Sequence, residues 1–198
     1  MTPLVVTPIT LTGRNVRLEP LSLDHARDLT VAGQDDSIWR YMPYPNMRTE
    51  ADMRAWIADM LHRQSLGGDL PFAVYHLADQ RAIGATRYMD IQPVHRGLEI
   101  GGTWYGRPYQ RTAVNTESKY LLLRHAFETL GCIRVQLKTD LRNERSQAAI
   151  ERLGAVREGV LRENLIMPDG YHRSSVYFSI LAAEWPAVKA RLEARLAA

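Results

Sequence analysis

The order in which two residue periodicities appear constrains this chain more than any single motif. Residues 71–77, 82–91 and 98–105 are three strand-like segments separated only by short turns. The first two flank a turn at Ala78-Asp79-Gln80 and read as an antiparallel hairpin. An earlier strand pattern, residues 15–21, alternates Val16 and Leu18 with Arg17 and Glu19, and Pro20 marks its end. Residues 23–42 fit one or two short helices. Thr49 and Asp52 then form a capping-box pattern ahead of Met53, Trp56, Ile57, Met60 and Leu61, an amphipathic helix stopped by Gly67-Gly68. Past residue 113 the two periods alternate. Asn115 or Thr116 can cap a helix to Leu130, with Tyr120, Leu123, Phe127 and Leu130 on its stripe and Gly131 closing it. Residues 133–139 read as a strand, and a helix starting at Asn143 or Ser146 runs to Leu153 and closes on Gly154. Two strands flank Pro168-Asp169-Gly170, and a last helix starts near Pro186 with Trp185, Val188 and Leu192 facing inward. A run of strands followed by alternation predicts an α/β (α+β) chain: one mixed sheet with helices on both faces.

Length and composition narrow the function. The 198 residues suit one domain, residues 1–198, in which 1–13 form an N-terminal extension. The only cysteine, Cys132, excludes a disulfide framework and a multi-cysteine zinc site. It points to a reducing, cytoplasmic setting. Its place at a helix end reads as a buried, inert thiol rather than a nucleophile. The six histidines show no metal-binding spacing, so no metal is expected. No apolar run is long enough for a membrane span, and the first residues do not read as a signal peptide. A net charge of +3 suits a polyanionic small molecule but is too weak to argue for nucleic acid. No element carries the aromatic-basic pattern of a nucleic-acid groove.

The stretch from Thr103 to Glu117 is a strand end, a turn and a helix start. Helix starts expose unpaired N–H groups and a partial positive charge, which suits a pyrophosphate. Arg107 and Arg111 could add charge-assisted contacts. Taken alone, the segment also fits an ordinary connection with solvated arginines. Further motifs follow: Glu99-Ile100-Gly101 on the preceding strand, Thr116-Glu117 in the long helix, Asn143 and Ser146 at the next helix start, Leu153-Gly154-Ala155 and Glu158-Gly159. Asp169-Gly170 before a basic strand and Glu184-Trp185 before the last helix complete the set.

In that order and spacing, from about Arg14 to Leu196, the chain resembles the GNAT (Gcn5-related) N-acetyltransferase superfamily. It looks most like the branch of RimJ/RimL-type ribosomal-protein N-terminal acetyltransferases. The resemblance implies a mostly antiparallel, twisted sheet and acetyl-CoA as co-substrate, with cofactor contacts at Trp104, Tyr105, Gln110, Arg111, Thr112, Ala113, Val114, Asn115, Thr116, Asn143 and Ser146. The family's pyrophosphate loop usually reads Gln/Arg-x-x-Gly-x-Gly/Ala. Here Gln110 stands first, but Ala113 and Asn115 fill the two small-residue positions, where glycine would let the backbone approach the phosphates most closely.

The implied chemistry is direct attack of an amine on the thioester. Glu99 is the candidate general base, and the other reading makes it a solvent-facing glutamate on a half-exposed strand. Backbone N–H groups near 102–105 could face the carbonyl oxygen. Ser146 is the candidate acid for the thiolate, although a thiolate leaves tolerably unaided and the serine equally suits a helix start. Trp39, Tyr41, the 43–45 turn and Tyr88 are expected to wall the acceptor pocket. Trp56 and Trp185 read as core packing. The acceptor is a protein N-terminus or a small-molecule amine, and a homodimer is expected by analogy. The alternative is a catalytically silent acyl-CoA-binding sensor or scaffold, motivated by Ala113 and Asn115.

Overall fold

The structure is a computed structural model and describes residues 3–197. Eight strands form one sheet in the order β1-β2-β3-β4-β5-β6-β8-β7. They are β1 (Leu11–Thr12), β2 (Val16–Pro20), β3 (Leu70–His76), β4 (Arg81–Gln92), β5 (Gly97–Tyr105), β6 (Arg134–Asp140), β7 (Val156–Ile166) and β8 (His172–Leu181). Every neighbouring pair is antiparallel except β5 and β6. Five helices cover it: α1 (Ala26–Ala32), α2 (Glu50–Ser65), α3 (Ala113–Arg124), α4 (Glu144–Leu153) and α5 (Trp185–Ala197). The expected mixed, mostly antiparallel sheet with helices on both faces is present.

Two apolar clusters define the faces. Leu29, Met53, Trp56, Ile57 and Met60 of α1 and α2 pack with Ala73, Ala85 and Trp104 on one face. On the other, Leu121, Leu122 and Leu123 of α3, Ile150 and Leu153 of α4 and Trp185, Val188 and Leu192 of α5 pack with Leu18, Phe72, Leu98, Ile100 and Phe178. Residues ahead of β2 join this second core: Leu4 is buried and its N–H donates to Pro93 O at 3.1 Å.

Local sequence explains most helix ends. Thr49 Oγ1 accepts from Asp52 N, and the Asp52 carboxylate accepts from Thr49 N, so the capping box forms as read. Asn143 caps α4 through its side chain, and Gly154 ends that helix at φ 104°. The start of α3 differs from expectation. The cap is Thr112, not Asn115 or Thr116, because Arg111 turns the chain at φ 63° and the Thr112 hydroxyl accepts from Val114 N at 3.3 Å. The inward stripe of α3 is also rotated. Leu121, Leu122, Leu123 and Ala126 are buried, while Tyr120, Phe127 and Leu130 sit partly exposed at the edge. Apolar residues nearly surround this helix, so periodicity alone left its phase open.

Candidate active site

The sheet opens at one place. The parallel β5–β6 ladder pairs Gly97 with Arg134, Leu98 with Val135 and Glu99 with Gln136, and ends there. β5 nevertheless continues to Tyr105 and β6 to Asp140. The strands part just past Glu99, leaving a wedge whose walls are residues 100–105 and 137–140.

A bulge reorganises the β5 wall. Ala85 pairs with Trp104 and Arg87 with Gly101, so Gly102 and Thr103 together stand opposite Thr86. Gly102 takes φ 58°, a left-handed conformation that glycine adopts without strain. The extra residue reverses the alternation of side chains. Leu98 and Ile100 join the α3-side core, yet Trp104 joins the α1–α2 side. Glu99 therefore faces the α1–α2 side, and Thr103 faces α3, where Lys119 Nζ donates to its Oγ1 at 2.6 Å.

Glu99 is not the solvent-facing glutamate of the alternative reading: its side chain is 1% exposed. Its Oε2 accepts from Gln136 Nε2 at 2.9 Å and pairs with Lys138 Nζ at 3.0 Å. Nearby on β8, burial pulls the Arg173 guanidinium below its ordinary value while Asp140 and Glu99 hold it up. Its Nη1 donates to Tyr41 O at 3.2 Å, which brings the 39–47 loop over this face.

On the other side of the wedge, two helix N-termini stand together. Gln110 bridges them: Nε2 donates to Tyr105 O at 3.1 Å, and Oε1 accepts from Arg145 Nη1 of α4 at 3.2 Å. Arg111, Thr112 and Ala113 are exposed, Asn115 and Thr116 are half-buried, and Val114 turns into the core. This region offers backbone N–H groups and positive helix ends to an anion. Asn143 Oδ1 accepts from Ser146 N at 3.1 Å, so Asn143 serves as the cap of α4. Ser146 lies half-buried in the first turn of that helix, and its hydroxyl makes no hydrogen bond among the described residues.

Several expected contacts fall elsewhere. Tyr88 does not wall an acceptor pocket. It is fully buried on the α3 face, donates to Leu122 O at 2.7 Å and stacks on His125. Trp39 is core as well: its indole N–H donates to Gly33 O at 2.8 Å and its ring packs 4.9 Å from Trp104. The side chains of Trp104 and Tyr105 are likewise buried, so only their backbone can reach the wedge. Of the proposed wall, Tyr41 remains half-exposed. Arg107 turns away from α3 toward Asp35 and Ser37. Trp56 and Trp185 pack in the two cores. Burial pushes the Cys132 thiol up to about 11, which makes it a poor nucleophile.

Other residues of the site escaped the sequence reading. Lys119, Thr103, Gln136 and Lys138 lie around the wedge, and a buried pair, Arg87 Nη1 and Asp69 Oδ2 at 3.0 Å, lies beside Gly102. Lys119 had a signal: it stands three and four residues before Leu122 and Leu123, so a correctly phased stripe puts a lysine in the core.

Comparison with known proteins agrees with this architecture. Residues 15–156 match the acetyltransferase (GNAT) domain model. The chain belongs to the GNAT acetyltransferase family. A Bacillus subtilis (strain 168) protein named as a ribosomal N-acetyltransferase, YdaF, is 33% identical over 113 residues, 57% of this chain and 61% of that protein. The match thus spans less than two thirds of that relative's length. A crystal structure described as an acetyltransferase from T. thermophilus superposes with a TM-score of 0.88 at 45% identity, covering 97% of this chain and 99% of that one. Mycobacterium smegmatis RimJ in complex with CoA-disulfide shares the fold, with a TM-score of 0.82 at 20% identity over 95% of each chain. Among the described residues no group of side chains could hold a metal ion, and no helix is long and apolar enough to cross a membrane.

Proposed function

We propose that this GNAT member transfers an acetyl group from acetyl-CoA to the α-amine of a polypeptide N-terminus, with Glu99 as general base. The observation that carries the reading is the opening of the β5–β6 ladder directly past buried Glu99, with the N-termini of α3 and α4 on its other side. The pyrophosphate would lie against residues 111–116, and the thioester would enter the wedge. An amine approaching from the α1–α2 side meets the Glu99 carboxylate, which removes its proton as nitrogen attacks the thioester carbon. An α-amine has an ordinary pKa near 8 against about 10.4 for lysine, so it is the easier amine to deprotonate.

Arg87 supports a peptide rather than a free amino acid. Its Nε is buried and makes no hydrogen bond among the described residues, and it lies 3.0 Å from where a Cβ on Gly102 would stand. Its charge is already balanced by Asp69. Such a donor suits a neutral peptide carbonyl, whereas a free carboxylate would be buried without a net opposite charge. The name of the YdaF relative points the same way. We place this activity in the cytoplasm within one acyltransferase domain.

Thiol release from acetyl-CoA tests the proposal against peptides with free N-termini, the same peptides N-acetylated, free amino acids and small amines. Release only with free N-termini is expected. Coenzyme binding without release for any amine would overturn it in favour of the sensor reading.

A further inference from the structure

Lys119 is a buried cation that the mechanism above leaves unused. It is the seventh residue of α3, about 9 Å along the axis from the helix start at 1.5 Å per residue. The positions that share its side of the helix, Leu122, Leu123 and Ala126, are core residues. Its Nζ donates to Thr103 Oγ1 at 2.6 Å, and that hydroxyl lies 2.8 Å from Thr86 Oγ1. Lys119 is 5% exposed, and among the described residues it forms no ion pair. Burying an ammonium beside hydroxyls alone is costly, and an apolar side chain would fill the same space without that cost.

Its position gives the cost a use. Thr103 lies in the part of β5 that has separated from β6, on the α3 face. In the acyl-transfer reading above, the thioester would run from the α3 N-terminus into the wedge along this separated stretch of β5. Glu99, on the opposite face of β5, is the ionisable group that acts on Lys119 through its field, and Glu99 is itself held by Gln136 and Lys138.

We propose that Lys119 is a catalytic residue of the transfer, giving its proton to the coenzyme A sulfur as the thioester breaks. The inference rests on the acyl-transfer reading above. The amine nitrogen forms a bond to the acyl carbon, and the carbon–sulfur bond breaks with its electron pair going to sulfur. The amine proton goes to Glu99, and a Lys119 proton goes to sulfur. Return of one proton from Glu99 to Lys119 through solvent resets both groups. Burial supports the direction of transfer: it lowers Lys119 to about 7, against an ordinary thiol value near 8.5. Ser146 has no comparable acidity, which leaves it a contact rather than an acid.

The test uses the full chain and coenzyme A alone, with no acceptor amine. The ultraviolet absorbance of the thiolate is titrated for bound coenzyme A in wild type, Lys119→Met and Lys119→Arg. Read below about pH 7, where Lys119 of the folded chain still carries its proton, the bound thiol of wild type should ionise at least about tenfold more readily than free coenzyme A, and Lys119→Met should remove that shift. Lys119→Arg should keep the shift, because it keeps the charge, yet slow turnover, because a guanidinium does not give up its proton. Equal titration of the bound thiol in wild type and Lys119→Met would overturn the proposal. So would an unshifted thiol in wild type, a measurement that stands even where a variant fails to fold. A shifted thiol with no transfer to any amine would sink the acyl-transfer reading while leaving the Lys119–sulfur contact in place.

Discussion

Glu99 and Gln136 form the last rung of the parallel β5–β6 ladder, and the Gln136 amide donates to Glu99 Oε2 at 2.9 Å across it. The carboxylate is thereby fixed at the point where the two strands separate. It is buried, and Lys138 Nζ pairs with the same oxygen at 3.0 Å.

Replacing Glu99 with Gln keeps the shape and the hydrogen bond to β6 but removes the base. Turnover should fall about 10²- to 10⁴-fold, the range that general base catalysis supplies. Coenzyme affinity should change by less than about twofold, because Glu99 faces away from the α3 N-terminus. Steady-state rates and calorimetry with coenzyme A check both halves. Near-wild-type rates at neutral pH would remove Glu99 from the base role.

Asn115 is the third residue of α3, inside the turn that would meet the pyrophosphate. Asn115→Asp adds a charge that the helix dipole favours by about 0.3–1 kcal/mol, so the melting temperature should hold or rise slightly. The same charge repels phosphate by ~1 kcal/mol or more, about a fivefold or greater rise in Kd for coenzyme A. Unchanged affinity by calorimetry would mean that the pyrophosphate binds elsewhere.

Glu117 follows two residues later and plays a structural part. Its carboxylate accepts from the backbone N–H groups of Arg14, Asn15 and Val16, tying α3 to the start of β2. It is buried, and a Cβ on Gly13 would collide with it, at 2.5 Å from Oε1. Glu117→Gln turns two amide hydrogens toward those donors and should cost about 2–3 kcal/mol. For a chain of this size that lowers the melting temperature by roughly 5–10 °C. Thermal melts decide it, and an unchanged midpoint would contradict the role.

Lys119 makes stability depend on pH in an unusual direction. The unfolded lysine titrates near 10.4 and the folded one near 7, so the unfolded chain binds more protons between those values. Its contribution to stability therefore rises with pH across that window. Lys119→Met should melt higher than wild type at pH 7, and the difference should shrink toward pH 9.5. Melts in matched buffers test this, and a variant less stable than wild type at pH 7 would refute the burial cost.

Apart from the two-residue edge strand β1, which falls within residues 1–13, the sequence by itself determined which strands and α-helices form and in what order, because hydrophobic period, helix caps and turn residues act over a few neighbouring positions. Thr49 with Asp52, Asn143, Gly154 and the Pro168-Asp169-Gly170 turn each specify a local end, and each is found where it was read. The GNAT resemblance likewise follows from the order of short motifs, and it named Glu99. Tertiary structure alone decided what surrounds Glu99. A one-residue bulge at Gly102 and Thr103 changes which face of β5 each later side chain takes, and no local period reports it. For the same reason Tyr88 and Trp39, plausible as pocket walls, became core. Contacts between residues far apart in the chain brought Lys119 to Thr103 and Gln110 to Arg145, and burial lowers the Lys119 ammonium, a shift that depends on its packed neighbours rather than on residue type.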